Sequence, residues 1–491
     1  MAVPMTSEQR KAAAALLRER VPEVADIGRL FAEHGHELAL VGGPVRDVFR
    51  GERPSDLDLT TDAHPDQVLA LAAGWADATW TVGIAFGTVG LRKGSTIFEI
   101  TTYRSEQYRA ESRRPDVRYG RSLAEDLSRR DFTINAMAAQ LPGYDLVDPF
   151  GGLDALKDRA IRTPGRPEDS FSDDPLRILR AARFAAKLGF AVAPEVQAAM
   201  TEQAARLEIV SAERITGELT KLMLTTDPAL GIDLLVQSGV ADQVLPEVSR
   251  LRMEADEHHR HKDVYQHSLT VLRQAIELEP RYGLQDDLTV RLAALLHDIG
   301  KPKTRELLPD GRVAFHLHER VGAKLTRKRL TALRFPNDVI HDVSRLVELH
   351  LRFHGYGEGE WTDSAVRRYV RDAGPLLTRL HVLTRADCTT RNQAKAQRLA
   401  RAYDGLEQRI AELGEQEELS RLRPELDGHD IMRILGVTGG RVVGRAYDFL
   451  LELRITRGPI GREQALQALL DWAAEEGIPV PEPADEEPDE D

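Results

Sequence analysis

The stretch "HELALV" (36–41) alternates large and small side chains and gains apolar weight, which predicts a strand that ends at Gly42 and Gly43. The next stretch, "PVRDVFRG", predicts a short helix with Pro44 in its first turn and Gly51 just past its end. "SDLDLTT" and "STIFEITTYR" alternate again and predict two further strands. Ahead of them, residues 6–36 read as a helix broken at Pro22. To about residue 150 the pattern is that of a βαβ-rich α/β head.

From residue 151 the apolar spacing becomes helical. "DPLRILRAARFAAKLGF" (174–190) predicts a helix closed by Gly189, and "SAERITGELTKLML" (211–224) one capped by Ser211. The fold class expected is multidomain α+β: the head, then an all-helical neck, body and tail. The segments expected are a head over 1–150, a neck over 151–250, a His-rich block over 251–400, a helical tail over 401–475 and a disordered end over 476–491. That end belongs to a Pro-rich stretch, 475–491, with nine acids and no bases; without it the formal charge of −13 becomes −13 + 9 = −4. Local basic clusters therefore remain free to meet phosphates.

A chain of 491 residues is too long for one core, and the absence of any run of about 18 apolar residues predicts no membrane span. The N-terminus carries Glu and Arg where a signal peptide would be apolar. One cysteine, Cys388, excludes an intrachain disulfide framework and suits a reducing cytoplasm.

The candidate chemistry begins at Asp56 and Asp58. Residues i and i+2 of a strand share a face, so both carboxylates point one way and Leu57 and Leu59 the other. Close carboxylates repel unless a cation sits between them, and magnesium takes such hard oxygen ligands. Glu99 offers a third carboxylate from a neighbouring strand. An isolated Asp-x-Asp is often a solvated turn. Here Gly42 and Gly43 precede it at a strand-to-helix junction, where backbone can approach an anion, and Arg46 can add a contact to phosphate. Strand, Gly-Gly, short helix and Asp-x-Asp together read as a site for a triphosphate with Mg2+.

On these residues the chain resembles the class II nucleotidyltransferases of the polymerase-β superfamily: the CCA-adding tRNA nucleotidyltransferases and the bacterial poly(A) polymerases. The likeness continues through "DLSRRDFTINAMA" (126–138), "DPFGGLDALKDRAIRT" (148–163), "DDPLRILRAARFAAKLGF" (173–190) and "ERITGELTKLM" (213–223), in the family's order. The resemblance implies that Asp56 and Asp58 are catalytic and hold Mg2+. It places Gly42, Gly43 and Arg46 at the triphosphate, Arg130 and Asp131 at the nucleotide, and Asn135 near its sugar. It assigns Asp174 and Arg177 to the incoming base and Arg180 and Arg183 to further nucleotide contacts. Asp173-Asp174 stands where the family usually has Glu-Asp.

Arg177, Arg180, Arg183 and Lys187 fall within about 120° of one helix, an arc that an ordinary amphipathic helix shares. Asp174 and Arg177 suit a base with an amine beside an acceptor, as in cytosine and adenine, and disfavour uracil and guanine. Arg104, Arg109, Arg113, Arg114, Arg118, Arg121, Arg129 and Arg130 read either as a solvated loop or as a basic loop near the primer's 3′ end.

Histidines crowd into 258–381. His267, the adjacent His297-Asp298 in "ALLHDIGKP" and the distant Asp387 resemble the HD phosphohydrolases. Such a set suits a divalent metal, with Asp298 able to bridge two ions and His318, His350 and His354 able to complete a second site. "LLHDIGK" is expected in a helix ending at Gly300. The resemblance implies an enzyme that adds C and A to the tRNA 3′ end from CTP and ATP. Alternatives are addition of only part of that end, poly(A) polymerase, and a chain whose main activity is HD phosphohydrolase or 2′,3′-cyclic phosphodiesterase.

Overall fold

The computed structural model describes residues 5–54, 56–107, 116–120, 122–252, 264–310, 313–353, 362–390, 392–417 and 423–481. The chain forms two compact units, residues 1–250 with 331–335, and residues 251–330 with 336–491.

The first unit opens with helices Ser7–Arg20 and Ala25–Glu33, separated by a 3-10 turn at Pro22, where the interrupted helix was expected. The head strands are β1 (Leu38–Val41), β2 (Leu57–Thr61), β3 (Ala78–Trp80), β4 (Thr88–Lys93), β5 (Thr96–Thr102), β6 (Arg104–Gln107), β7 (Asp116–Tyr119), β8 (Ala138–Leu141) and β9 (Asp145–Val147). Seven form one sheet in the order β3-β4-β5-β2-β1-β8-β9; β6 and β7 pair separately. Only β2 and β5 run parallel in that sheet. The βαβ reading thus applies to that pair, with helix Pro65–Ala72 between its strands. A tight turn at Gly94 (φ +59°) makes β4 and β5 a hairpin, which is antiparallel by construction.

One sheet face carries Leu57, Leu59, Val89, Leu91, Phe98 and Ile100 into a core with Leu17, Ile27, Phe31 and Val68. On the other face, Ala39, Val41 and Ala138 are covered by Tyr103, Leu123 and Leu127. That second cluster closes the β1–β8 half of the face. Asp58 and Glu99 lie in register on the adjoining β2–β5 part.

Helices Leu176–Leu188 and Ala212–Met223 follow, ended by Gly189 in the left-handed region (φ +64°) and capped by Ser211 respectively. In the second unit, helices Val264–Leu278, Leu288–Leu296, Asn337–Leu349 and Leu377–Ala386 surround the histidines. The regular helix stops at Leu296, four residues before the expected Gly300, and His297 and Asp298 sit on the turn beyond it. The all-helical expectation is modified by two short ribbons, Ala160–Ile161 with Ala191–Val192 and Arg305–Leu307 with Val313–Phe315. Helix Gln393–Glu417 runs through residue 400, and the last helices share a core of Leu426, Ile431, Leu450 and Leu469. Among the described residues, no helix is long and apolar enough to cross a membrane.

Phe98 is fully buried, with Trp75 edge-on at 5.3 Å between ring centroids. Phe98→Ala should cost the head about 3–5 kcal/mol, read as a lower denaturant midpoint by Trp75 fluorescence.

Candidate active site and metal centre

Asp58 is partly buried on β2, opposite Glu99 of β5, while Asp56 is exposed just ahead of the strand. The expected alternation holds, since Leu57 and Leu59 point into the core. Burial raises the Asp58 pKa; Arg130 opposes this, and the charges of Glu99 and Asp56 reinforce it. Carboxylates that repel in this way suit a divalent cation, whose charge offsets their repulsion.

Gly42 follows β1 with φ +74°, and a Cβ built there would lie 2.8 Å from Arg130 Nη1. The backbone angle favours glycine, and without a side chain there the Arg130 guanidinium can lie close to the loop. The helix Gly43–Phe49 begins at once, with Arg46 in it. Arg46 is buried: it donates to Asn135 Oδ1 at 2.7 Å and to Asp47 Oδ1 at 2.8 Å. Asn135 in turn donates to Asp131 Oδ1 at 3.0 Å, and Asp131 Oδ2 accepts from Arg180 Nε at 2.8 Å. Arg180 Nη1 lies 3.6 Å from Glu218, which also accepts from Arg183 Nε at 2.6 Å. Phe184 sits among the three guanidiniums of Arg46, Arg180 and Arg183, at 5.5, 5.6 and 4.3 Å from its centroid. Six predicted site residues therefore belong to two touching groups, Gly42–Arg130 and Arg46–Asn135–Asp131–Arg180, and Glu218 links Arg183 to the second.

Asp174 and Arg177 lie at the start of helix Leu176–Leu188 but have separate partners. Asp174 Oδ2 accepts from Arg214 at 2.8 Å. Arg177 donates to Ser170 Oγ at 2.8 Å and to the Arg129 carbonyl at 2.5 Å. Arg53, unassigned from the sequence, pairs with Glu23 at 2.6 Å rather than with the Asp pair. Sequence reasoning did not single out Glu218, Arg214 or Phe184. Glu218 left a signal, being an acid on the apolar stripe Ile215–Leu219–Leu222. Arg109, Arg113, Arg114, Arg121, His354 and the end beyond 481 lie outside the described residues.

In the second unit two groups of ligand atoms converge: His267, His297 and Asp387, and Asp298, His318 and His350. Among the described residues these are the groups whose ligand atoms fall within 4.8 Å of one another; the head carboxylates are more open. Asp298 faces both sets. Its Oδ2 is 3.2 Å from His297 Nε2 and 3.6 Å from His267 Nε2, and its Oδ1 is 3.3 Å from His318 Nε2 and 3.9 Å from His350 Nε2. The carbonyls of Ala294, Phe315 and Val347 accept from Nδ1 of His297, His318 and His350 at 2.9, 2.9 and 2.7 Å. With Nδ1 so engaged, each Nε2 faces the common centre. Nε2 of His318 and of His350 is buried without a hydrogen-bond partner, as expected of a ligand whose acceptor is a metal. Burial and His297 push His350 down to about 3, so it stays neutral. Burial works to raise Asp298, but His297, His318 and Lys301 outweigh it and hold the carboxyl well below the usual range.

Three family models match the chain: the poly A polymerase head domain over residues 38–162, the probable RNA and SrmB-binding site of polymerase A over 189–251, and the HD domain over 264–392. An A-adding tRNA nucleotidyltransferase of Deinococcus radiodurans is 36% identical over 446 residues, covering 89% of this chain and 96% of that protein. The chain belongs to the tRNA nucleotidyltransferase family. A CCA-adding enzyme of Anoxybacillus flavithermus is 39% identical over 48% of this chain and 59% of its own, so alignment spans only part of that relative. The structure of a Bacillus stearothermophilus CCA-adding enzyme with CTP is 25% identical and superposes with a TM-score of 0.68, covering 93% of this chain and 98% of that one. As a family member the chain is a nucleotidyltransferase with an HD domain, and both parts imply use of divalent metal.

Burial acts to raise the Asp131 pKa, but Arg180 and Asn135 prevail and lower it. A depressed carboxylate stabilises the fold above its unfolded pKa and loses that contribution as pH falls through the folded value. Asp131→Asn should cost about 3–5 kcal/mol at pH 7. Its deficit against the wild type in urea melts should shrink below pH about 4.

Proposed function

We propose that the chain adds C and A to the tRNA 3′ end from CTP and ATP. The observation that carries this reading is the Asp58–Glu99 pair one strand from the Gly42–Arg130 contact, on one face of the head sheet. In this reading Asp56 and Asp58 hold Mg2+. The metal, when bound, lowers the pKa of the 3′-hydroxyl and offsets the charge of departing pyrophosphate. Gly42, Gly43 and Arg130 receive the triphosphate. Arg46 is assigned there too, held by its pair with Asp47, and Asn135 is assigned near the sugar. Asp131, Arg180 and Arg183 form the wall of the nucleotide pocket. Asp174, oriented by Arg214, and Arg177, steadied by Ser170, read the base edge.

The 3′-oxygen of the tRNA bonds to the α-phosphorus, the α–β bridging bond breaks, and pyrophosphate leaves with that electron pair. A second reading, addition of the terminal A alone, is favoured by the match along nearly the whole chain to an A-adding relative. The segments at 1–150, 151–250, 251–400, 401–475 and 476–491 are proposed as head, neck, HD domain, tail and acidic end. The cytoplasm, where tRNA is used, is the proposed compartment. The HD ligands support a second, metal-dependent hydrolysis of phosphate esters by the same chain.

tRNA ending before CCA and tRNA ending in CC, offered CTP and ATP singly and together, separate these readings. CCA addition extends both; A-adding extends only the second; a product growing past three nucleotides indicates a poly(A) polymerase. Asp56→Asn with Asp58→Asn should lower incorporation at least 1000-fold, an order set by the loss of metal catalysis, with the fold intact by circular dichroism. Turnover retained by that variant would overturn the assignment. In the second unit, metal-stripped protein titrated with Mn2+ should take up two ions at His267, His297, Asp298, His318, His350 and Asp387. His350→Ala should reduce this to one, and Asp298→Ala should abolish tight uptake.

A further inference from the structure

The cross-strand register sets a single row across the catalytic face of the head: Asp58 on β2, Glu99 on β5, Gly90 on β4 and Trp80 on β3. Paired residues share a face, so Trp80 lies on the face of the carboxylates, three strands from Asp58. Its indole rests directly on Gly90: a Cβ built there would fall 2.0 Å from the ring's Cε2 and Nε1. Glycine at position 90 thus lets the ring lie down on the sheet toward Glu99. The ring is only partly buried, and the loop after it exposes Val82, Ile84 and Phe86.

The direction of the chemistry gives this ring a task. The Gly42–Arg130 contact lies at the end of β1, on one side of β2. With the triphosphate held there, pyrophosphate departs toward β1. Attack in line with the departing group then brings the 3′-hydroxyl from the opposite side, over β5 and β4. That side ends at Trp80. We propose that Trp80, laid flat by Gly90, is the stacking platform for the base of the RNA's 3′-terminal nucleotide. An aromatic face accepts any base, as a primer site must when its terminal nucleotide changes with each addition. This inference rests on the nucleotidyltransferase reading, which fixes the side of approach.

The test uses the full chain and an RNA acceptor stem carrying 2-aminopurine as its 3′-terminal base, whose fluorescence is quenched by stacking. A stem with the probe inside the duplex serves as the reference. Wild type should quench the terminal probe, Trp80→Ala should not, and Trp80→Phe should keep most of the effect. The KM for RNA should rise about tenfold in Trp80→Ala, with the KM for ATP unchanged. Unaltered quenching and KM in Trp80→Ala, or a Trp80→Phe protein as impaired as Trp80→Ala, would overturn the platform. Incorporation by the wild type would in either case leave the nucleotidyltransferase reading standing. Conversely, quenching that depends on Trp80 in a wild type that incorporates nothing would uphold the platform and reject that reading.

Discussion

Asp131 is a buried carboxylate that accepts from Arg180 and Asn135 at once. Through Asn135 it reaches Arg46 beside the glycine loop, and through Arg180 it reaches Glu218 and Arg183 on the helices that follow the head. A lone carboxylate at this depth would be expelled or protonated. Here each charge is matched, so the network ties the glycine loop of the head to the helices Leu176–Leu188 and Ala212–Met223. Removing one member leaves the next charge buried and unpaired, which is why the network acts as a unit.

The same logic, with metal in place of arginine, organises the second unit. Asp298 stands between two sets of histidines whose Nδ1 atoms already donate to backbone carbonyls or, for His267, meet Thr389. The protein thus fixes the ring orientations before any ion is considered. The regular helix ends at Leu296, and His297 and Asp298 meet the centre from the turn that follows.

Much of this was legible in the sequence because it depends on short-range periodicity. The Asp-x-Asp alternation, Pro44 and Gly51 around the short helix, and Gly189 and Ser211 at the helix ends all follow from local rules. The sheet's mixed direction was not legible, since pairing joins β5 to β2 across an intervening β3–β4 excursion. Nor were the partners of the arginines. Arg46 meets Asn135, 89 residues away, and Arg180 meets Asp131, 49 residues away. The family resemblance assigned these groups to one nucleotide site, but no local pattern tells which carboxylate each arginine meets. The role of Trp80 required cross-strand register, which no single segment encodes.

Under the proposed function the head carboxylates activate whichever nucleotide is bound, and Asp174 with Arg177 chooses it. The most direct measurement compares single-turnover incorporation of ATP, CTP, UTP and GTP by the wild type and by Arg177→Ala. The account predicts that UTP and GTP gain at least tenfold relative to ATP and CTP in the variant, the scale of one lost charge-assisted hydrogen bond. Unchanged selectivity, with all four nucleotides slowed equally, would contradict it.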